Sequence, residues 1–137
     1  MKILLYLTII SICFLGCERS KNEVKAKIQT IQHKDLLWSR QRFLAEYTGE
    51  DNQYDSIKKI AIKKPIVYKI SDDLIIVSAY FERDACGEYK ADIKINNDSL
   101  FLNFNLISDV LCTSLAYYKV DYLINNSSKT RYIIAIE

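Results

Sequence analysis

Cysteine is the residue type in this chain with the most distinctive chemistry. The 137 residues include Cys13, Cys17, Cys86 and Cys112, and thiols can form disulfides, carry out redox catalysis, bind metals or carry lipid. Thiol redox enzymes usually place two cysteines two residues apart near a helix start, whereas the last two here are 26 positions apart. Zinc requires a clustered ligand set, and His33, the only histidine, is distant in sequence. We therefore predict no redox site, no metal and no other cofactor.

Paired carboxylates are the second arrangement that could carry chemistry, as the acid and base of a hydrolase. Most of the candidate acids fall in predicted turns or at strand ends, where a solvated carboxylate is the usual outcome. The chain also has no glycine-rich phosphate loop, nucleophile elbow or paired-histidine helix. We therefore predict no catalytic residue and a protein that is not an enzyme. The acids considered are Glu50, Asp51, Asp72, Asp73, Glu82 and Asp84.

Residues 1–16 have the pattern of an export signal. Lys2 precedes an apolar run from Ile3 to Leu15, and the first carboxylate is that of Glu18. Thirteen residues of helix span about 20 Å, against roughly 30 Å of hydrocarbon in a bilayer, which disfavours a stable transmembrane helix. A positive residue, a short apolar core and a small residue before the cleavage site are the parts of a secretory signal. An ordinary signal cleaved elsewhere and an uncleaved anchor are the alternatives.

The end of this segment, Phe14-Leu15-Gly16-Cys17, resembles the lipobox of bacterial lipoproteins. That family usually has Leu three residues before the cysteine, where this chain has Phe14. The resemblance implies cleavage between Gly16 and Cys17, followed by a diacylglyceryl thioether and an acylated amine on Cys17. Two or more acyl chains anchor a protein stably, so the implied product is held at a membrane. Glu18, in place of the Asp that retains many such proteins at the inner membrane, favours the outer membrane.

Export also determines the expectation for the remaining cysteines. Cys13 would leave with the signal and Cys17 would carry lipid, which leaves Cys86 and Cys112 as a pair suited to a disulfide. In a meander their two turns lie at one end of the sheet, about 10 Å apart. A disulfide allows roughly 4.4–6.8 Å between Cα atoms, so the loop from Ile107 to Ser114 would have to fold across. We predict that it does, and that the bond staples the domain.

Charge and length limit the partners and the domain count. The mature part has 18 basic and 17 acidic residues, a net charge of about +1, and this argues against a nucleic-acid partner. Residues 17–33 are polar and charged, and we interpret them as the lipidated cysteine and a tether. Residues 34–137 then form one globular domain. The expected partners are the membrane, through the lipid, and an envelope protein or glycan.

Two short helices are predicted before the strands. In the first, Asp35 is the cap and Gly49 takes the left-handed position after the helix end. Its shared face has Leu36, Phe43, Leu44 and Tyr47, with Trp38 on the opposite side.

The second helix starts after Asp55, places Ile57, Ile60 and Ala61 on one stripe, and ends before Pro65. A basic cluster surrounds this second helix. Its members are Lys58, Lys59, Lys63 and Lys64. They form either a solvated face or a contact with anionic lipid headgroups or envelope polymer.

After Pro65 the pattern alternates with period two, which predicts β-strands. The strands cover residues 66–70, 74–83, 89–95, 99–106, 115–124 and 132–136. Their short Asn- and Asp-rich links imply antiparallel hairpins at 72–73, 96–98 and 125–128. We predict an α+β fold, mainly antiparallel β, with one or two short N-terminal helices followed by a five- to six-stranded meander or small sandwich.

These features indicate a lipid-anchored cell-envelope protein with a non-enzymatic binding or structural role. An inhibitor or immunity lipoprotein that blocks a toxin or wall hydrolase is one alternative. A cell-wall or glycan hydrolase is another, and it would need two carboxylates about 5–10 Å apart in a cleft. If Tyr118, Tyr122 and Tyr132 face inward, Tyr117 and Phe101 face outward, where exposed aromatic rings can form a protein or glycan contact.

Overall fold

The computed structural model describes residues 32–49 and 52–137. Within these ranges seven strands form two packed β-sheets, and one helix packs on the four-stranded sheet. The elements are β1 Leu36–Glu46, α1 Asn52–Lys63, β2 Ile66–Ser71, β3 Leu74–Asp84, β4 Tyr89–Asn96, β5 Ser99–Leu106, β6 Leu115–Asn125 and β7 Ile133–Ile136. The sheet orders are β1-β6-β3-β2 and β4-β5-β7. The predicted α+β class, mainly antiparallel, is confirmed in its sandwich form. Within the described ranges no helix has the length and apolarity to cross a bilayer.

The first predicted helix is wrong, because its residues form β1, an edge strand paired antiparallel with β6. The register shifts between Leu36 and Trp38 and again between Phe43 and Ala45. Each shift inserts one residue and reverses the alternation of faces beyond it. The apolar residues from Leu36 to Tyr47 therefore have a helix-like spacing although their backbone is extended.

The second predicted helix forms as α1 and ends before Pro65 as predicted, but it starts at Asn52, before the predicted start after Asp55. Its packed face has Tyr54, Ile57 and Ala61, whereas Ile60 is exposed.

Gly49, with φ of 101°, takes the predicted left-handed conformation, but it follows a strand and not a helix. That conformation is strained for residues with a side chain, so glycine suits the turn from β1 toward α1.

Two of the three predicted hairpins form. The links β2–β3 and β4–β5 turn at Asp72 and Asn97, and both residues have positive φ. Asp and Asn tolerate this left-handed conformation better than most residues with a side chain. The third hairpin prediction is wrong, because β7 crosses to the other sheet and pairs parallel to β5. The meander alternative is also wrong, because β6 lies between β1 and β3 in the sheet. Alternation shows which side chains face the core, but it does not determine which strands pair.

The inner faces of the two sheets form the main core. Tyr122 is almost fully buried, and its hydroxyl donates to the carbonyl of Asn103 across the sandwich at 2.9 Å. Tyr118 is also buried and Tyr132 packs against the core. The largest fully buried apolar neighbours are Phe81, Phe104, Ile75, Leu100, Leu102, Ile124, Val77 and Val120.

A second, smaller core lies on the outer face of the four-stranded sheet, where α1 packs. It is made by Ala45, Tyr54, Ala61 and Tyr117. Tyr117 thus points outward from the sheet, but α1 buries it. On the other sheet Phe101 is half-buried, with the Lys94 ammonium 6.0 Å from its ring centre.

Candidate functional site

The predicted disulfide is present between Cys86 and Cys112, whose Cα atoms are 5.7 Å apart. The two cysteines lie in the connections β3–β4 and β5–β6, and both connections cross from one sheet to the other. β3 and β6 are neighbours in register, and the amide of Ala85 donates to the carbonyl of Ser114 at 2.9 Å. The crossings therefore run side by side, and this replaces the two-strand separation expected of a meander.

Asp84 fixes the backbone on both sides of this bond. Its carboxylate accepts from the amide of Cys86 at 2.9 Å and from the amide of Cys112 at 2.8 Å. The ligand atoms of these three residues lie within 4.8 Å of one another. Sulfurs joined in a disulfide offer no thiolate for a metal, so we interpret this cluster as structural: it holds the two connections together.

A groove of about 660 Å³ lies at the start of α1, between the helix and the ends of β3 and β6. It is open to solvent, and the ring of Tyr47 at its mouth is half exposed. That ring packs edge-on against the buried Tyr54, with ring centres 5.3 Å apart. The lining residues are Tyr47, Gly49, Asn52, Tyr54, Asp55, Lys58, Glu82 and Leu115.

Glu82 is the best-fixed charged group of the groove. The hydroxyl of Tyr54 donates to its carboxylate, and the same carboxylate is close enough to Tyr117 to raise the pKa of that phenol. Burial first, and then the neighbouring Glu82 carboxylate, raise the pKa values of both phenols, so they remain protonated donors. A carboxylate has about four acceptor positions, so Glu82 keeps capacity for donors from a ligand.

Of the sequence candidates, the structure brings Glu82 and Lys58 together in the groove. Asp72 and Asp73 lie in the β2–β3 turn, far along the strand from Glu82. The remaining lysines of the predicted cluster, Lys59, Lys63 and Lys64, are exposed. The residues Phe14, Leu15, Gly16, Cys17, Glu50 and Asp51 lie outside the described ranges.

His33 lies on the domain surface and not in the groove. Its amide donates to the Asp92 carboxylate at 2.9 Å, and its Nδ1 accepts from the amide of Asp35 at 3.2 Å. These contacts hold the chain at the entry to β1.

Sequence reasoning missed the aromatic side of the groove. Tyr47 was assigned to the face of the first predicted helix, which does not form. Tyr54 was not singled out, because it lies before the predicted start of the second helix. The available signal was the pair of tyrosines at 47 and 54, with two acidic residues between them.

The groove combines two aromatic rings, two carboxylates and one ammonium, a set suited to hydrogen-bonding ligands with both donors and acceptors. Asp55 and Glu82 are its acids, so the arrangement also brings two carboxylates into one cleft. The chain matches no protein-family model, and comparisons with curated proteins and with solved structures found no similar protein.

Proposed function

We propose that this protein is a lipid-anchored component of the bacterial cell envelope that binds an envelope protein or glycan without catalysing a reaction. Attachment is through Cys17 after cleavage at Gly16, and Glu18 favours the outer membrane. The groove beside Glu82 is the candidate binding site.

The Cys86–Cys112 disulfide is the observation that carries the export half of this proposal. Disulfides persist in oxidising compartments such as the periplasm and the cell surface, and they are rare in the cytosol. Asp84 holds the backbone of both cysteines, so the bond belongs to the folded structure. An export signal ending at Cys17 is consistent with that environment.

The groove supports a binding role more than a catalytic one. Glu82 already accepts a hydrogen bond from the buried Tyr54 phenol, which holds it in position as an acceptor, and the buried Tyr117 phenol lies beside it. An inhibitor or immunity lipoprotein is one form of this role, with a toxin or wall hydrolase as the bound protein. A glycan hydrolase is the second candidate, because Asp55 and Glu82 line the same groove. Release of sugar fragments from purified wall, lost in Glu82→Gln, would favour the hydrolase.

Fractionation of cells expressing Cys17→Ala tests the anchor. We expect the wild-type protein to sediment with membranes and to incorporate labelled palmitate, and the variant to do neither. Cys13→Ala is the matched control, because that residue leaves with the signal and its loss should change neither property. A Cys17→Ala protein that still sediments with membranes and carries label would contradict the proposal.

A further inference from the structure

Three rows of side chains extend from α1 along the outer face of the four-stranded sheet. Directly opposed residues of antiparallel strands point to the same face, so the register defines each row. The rows are Trp38-Leu123-Ile76-Lys69, Arg40-Asp121-Ser78-Val67 and Arg42-Lys119-Tyr80. We call these rows, together with α1 and the adjoining Glu82 and Lys64, the basic face.

Positive charge is concentrated on the basic face. It has eight of the fourteen Lys and Arg residues in the described ranges, but only three of the thirteen Asp and Glu residues. Eight against three gives +5, and since the described residues together carry +1, the other side carries −4. Asp121 is paired with Arg42 at 3.1 Å. The side chains of Arg40 and Lys69 make no ion pair or hydrogen bond with any other described residue, so both charged groups are available to an external anion.

Large apolar side chains lie among these cations. Trp38, the only tryptophan of the chain, is 49% exposed, and Ile76, two strands away in the same row, is 47% exposed. Among the described residues the Trp38 indole has no hydrogen-bond partner. Tryptophan beside Lys and Arg is the composition of surfaces that lie in the headgroup region of a bilayer.

The chain enters the domain at β1, the edge strand that has Trp38 on its outer side. β1 starts at Leu36, two residues before Trp38, and Asp35 is 18 residues after Cys17. Eighteen residues span at most about 65 Å, so a lipid on Cys17 would keep Trp38 close to the bilayer at a high effective concentration.

We propose that the basic face docks on the bilayer to which the lipid of Cys17 attaches, with the Arg and Lys side chains on anionic phospholipid headgroups and Trp38 at the hydrocarbon boundary. The inference rests on the proposed lipid anchor. Of the eight cations only Lys58 lines the groove. The others are spread over three strands, α1 and the adjoining Lys64, and this distribution matches a planar anionic surface. The lipid would thus set the orientation of the domain as well as its location.

Fluorescence of Trp38 tests this docking, because the chain has no other tryptophan. The lipidated protein, matured in cells and purified, is reconstituted into phosphatidylcholine vesicles with or without phosphatidylglycerol. In the anionic vesicles we expect a blue shift of the emission and quenching by acyl-brominated lipid. Both effects should be weaker in neutral vesicles and should decrease as salt screens the charges.

Charge reversal provides the matched variants. Arg40→Glu/Lys69→Glu should lose the blue shift and the quenching while the protein still floats with the vesicles. Lys94→Glu/Arg131→Glu makes the same charge change at exposed positions away from the basic face and should behave as wild type. Far-UV circular dichroism confirms that both variants are folded.

Three outcomes would overturn the inference, and they differ from one another. Wild-type protein that floats while Trp38 remains unquenched by brominated lipid would exclude docking and leave the anchor intact. Protein that does not float would exclude the anchor itself, and with it the docking. An equal blue shift on adding soluble polyglutamate to protein in neutral vesicles would assign the face to an anionic polymer.

Discussion

At the residue scale, two aromatic residues on opposite faces of one sheet have opposite environments. Tyr122 on β6 points into the sandwich, is 1% exposed and donates its hydroxyl to a carbonyl of the other sheet. Trp38 on β1 points outward beside Leu123 and remains 49% exposed. Exposure therefore separates an aromatic residue that stabilises the fold from one that is available for contact.

Substitution of Trp38 by Ala should lower the free energy of unfolding by less than about 1 kcal/mol, because an exposed cross-strand pair contributes little. Phe104→Ala, at a ring 2% exposed between the sheets, is the comparison. It should cost about 3–5 kcal/mol. Urea unfolding followed by circular dichroism measures both, and a loss above about 2 kcal/mol for Trp38→Ala would show that the ring belongs to a core.

At the scale of elements, the two crossings between the sheets are the part of the fold that the disulfide holds. The connections β3–β4 and β5–β6 join the adjacent strands β3 and β6 of one sheet to the adjacent strands β4 and β5 of the other, at the same end of the sandwich. Gly87 follows Cys86 where a Cβ atom would lie 2.6 Å from Leu106 and 2.8 Å from the Tyr89 ring. The first crossing therefore packs so closely against the other sheet that a side chain at this position would require the Leu106 and Tyr89 side chains to shift.

Replacing both Cys86 and Cys112 by Ala should destabilise the domain by about 3–4 kcal/mol, since the bond closes a loop of 26 residues in the unfolded chain. Urea unfolding of the oxidised wild type and of the double variant measures the difference. Wild-type protein in reductant should unfold at nearly the same urea concentration as the variant. Equal midpoints for the oxidised wild type and the variant would show that the bond adds no stability.

At the scale of the whole molecule, buried phenols in both cores make the stability of the fold depend on pH. Burial is the largest cause of the raised pKa of five tyrosines, because a phenolate loses its hydration inside the protein. These tyrosines are Tyr54, Tyr89, Tyr117, Tyr118 and Tyr122. Each has a higher pKa in the folded chain than in the unfolded chain, where the value is about 10. Their contribution to stability is complete below that pH and is lost as pH rises through the folded values.

We therefore expect the urea midpoint to be lower at about pH 11 than at about pH 8. Tyr122→Phe removes a strongly buried phenol, so its midpoint should decrease less over the same interval, although it starts lower because the hydrogen bond to Asn103 is lost. An equal decrease in both proteins would mean that ionisation of Tyr122 does not contribute.

Prediction from the sequence was accurate for features that depend only on the local pattern within one strand or turn. Alternation located β2 to β6, and the turns that contain Asp72 and Asn97 followed from residue type. It was wrong for β1, where two register shifts imitate a helical period. In the groove, Glu82 was among the candidate acids, but Tyr54 and Tyr47 were not expected beside it. Their approach depends on α1 crossing the outer face of the sheet.

Local patterns in the sequence thus determined the strand faces, the turn residues, α1 and the two cysteines available for a disulfide. The tertiary structure decided the strand order, the side-by-side crossings that bring Cys86 to Cys112, and the clustering of basic residues from β1, β2 and β6 on one face. The physical reason is that alternation is set by the geometry of a single strand. Pairing, by contrast, depends on which apolar faces bury one another, and those faces come from residues far apart in the chain.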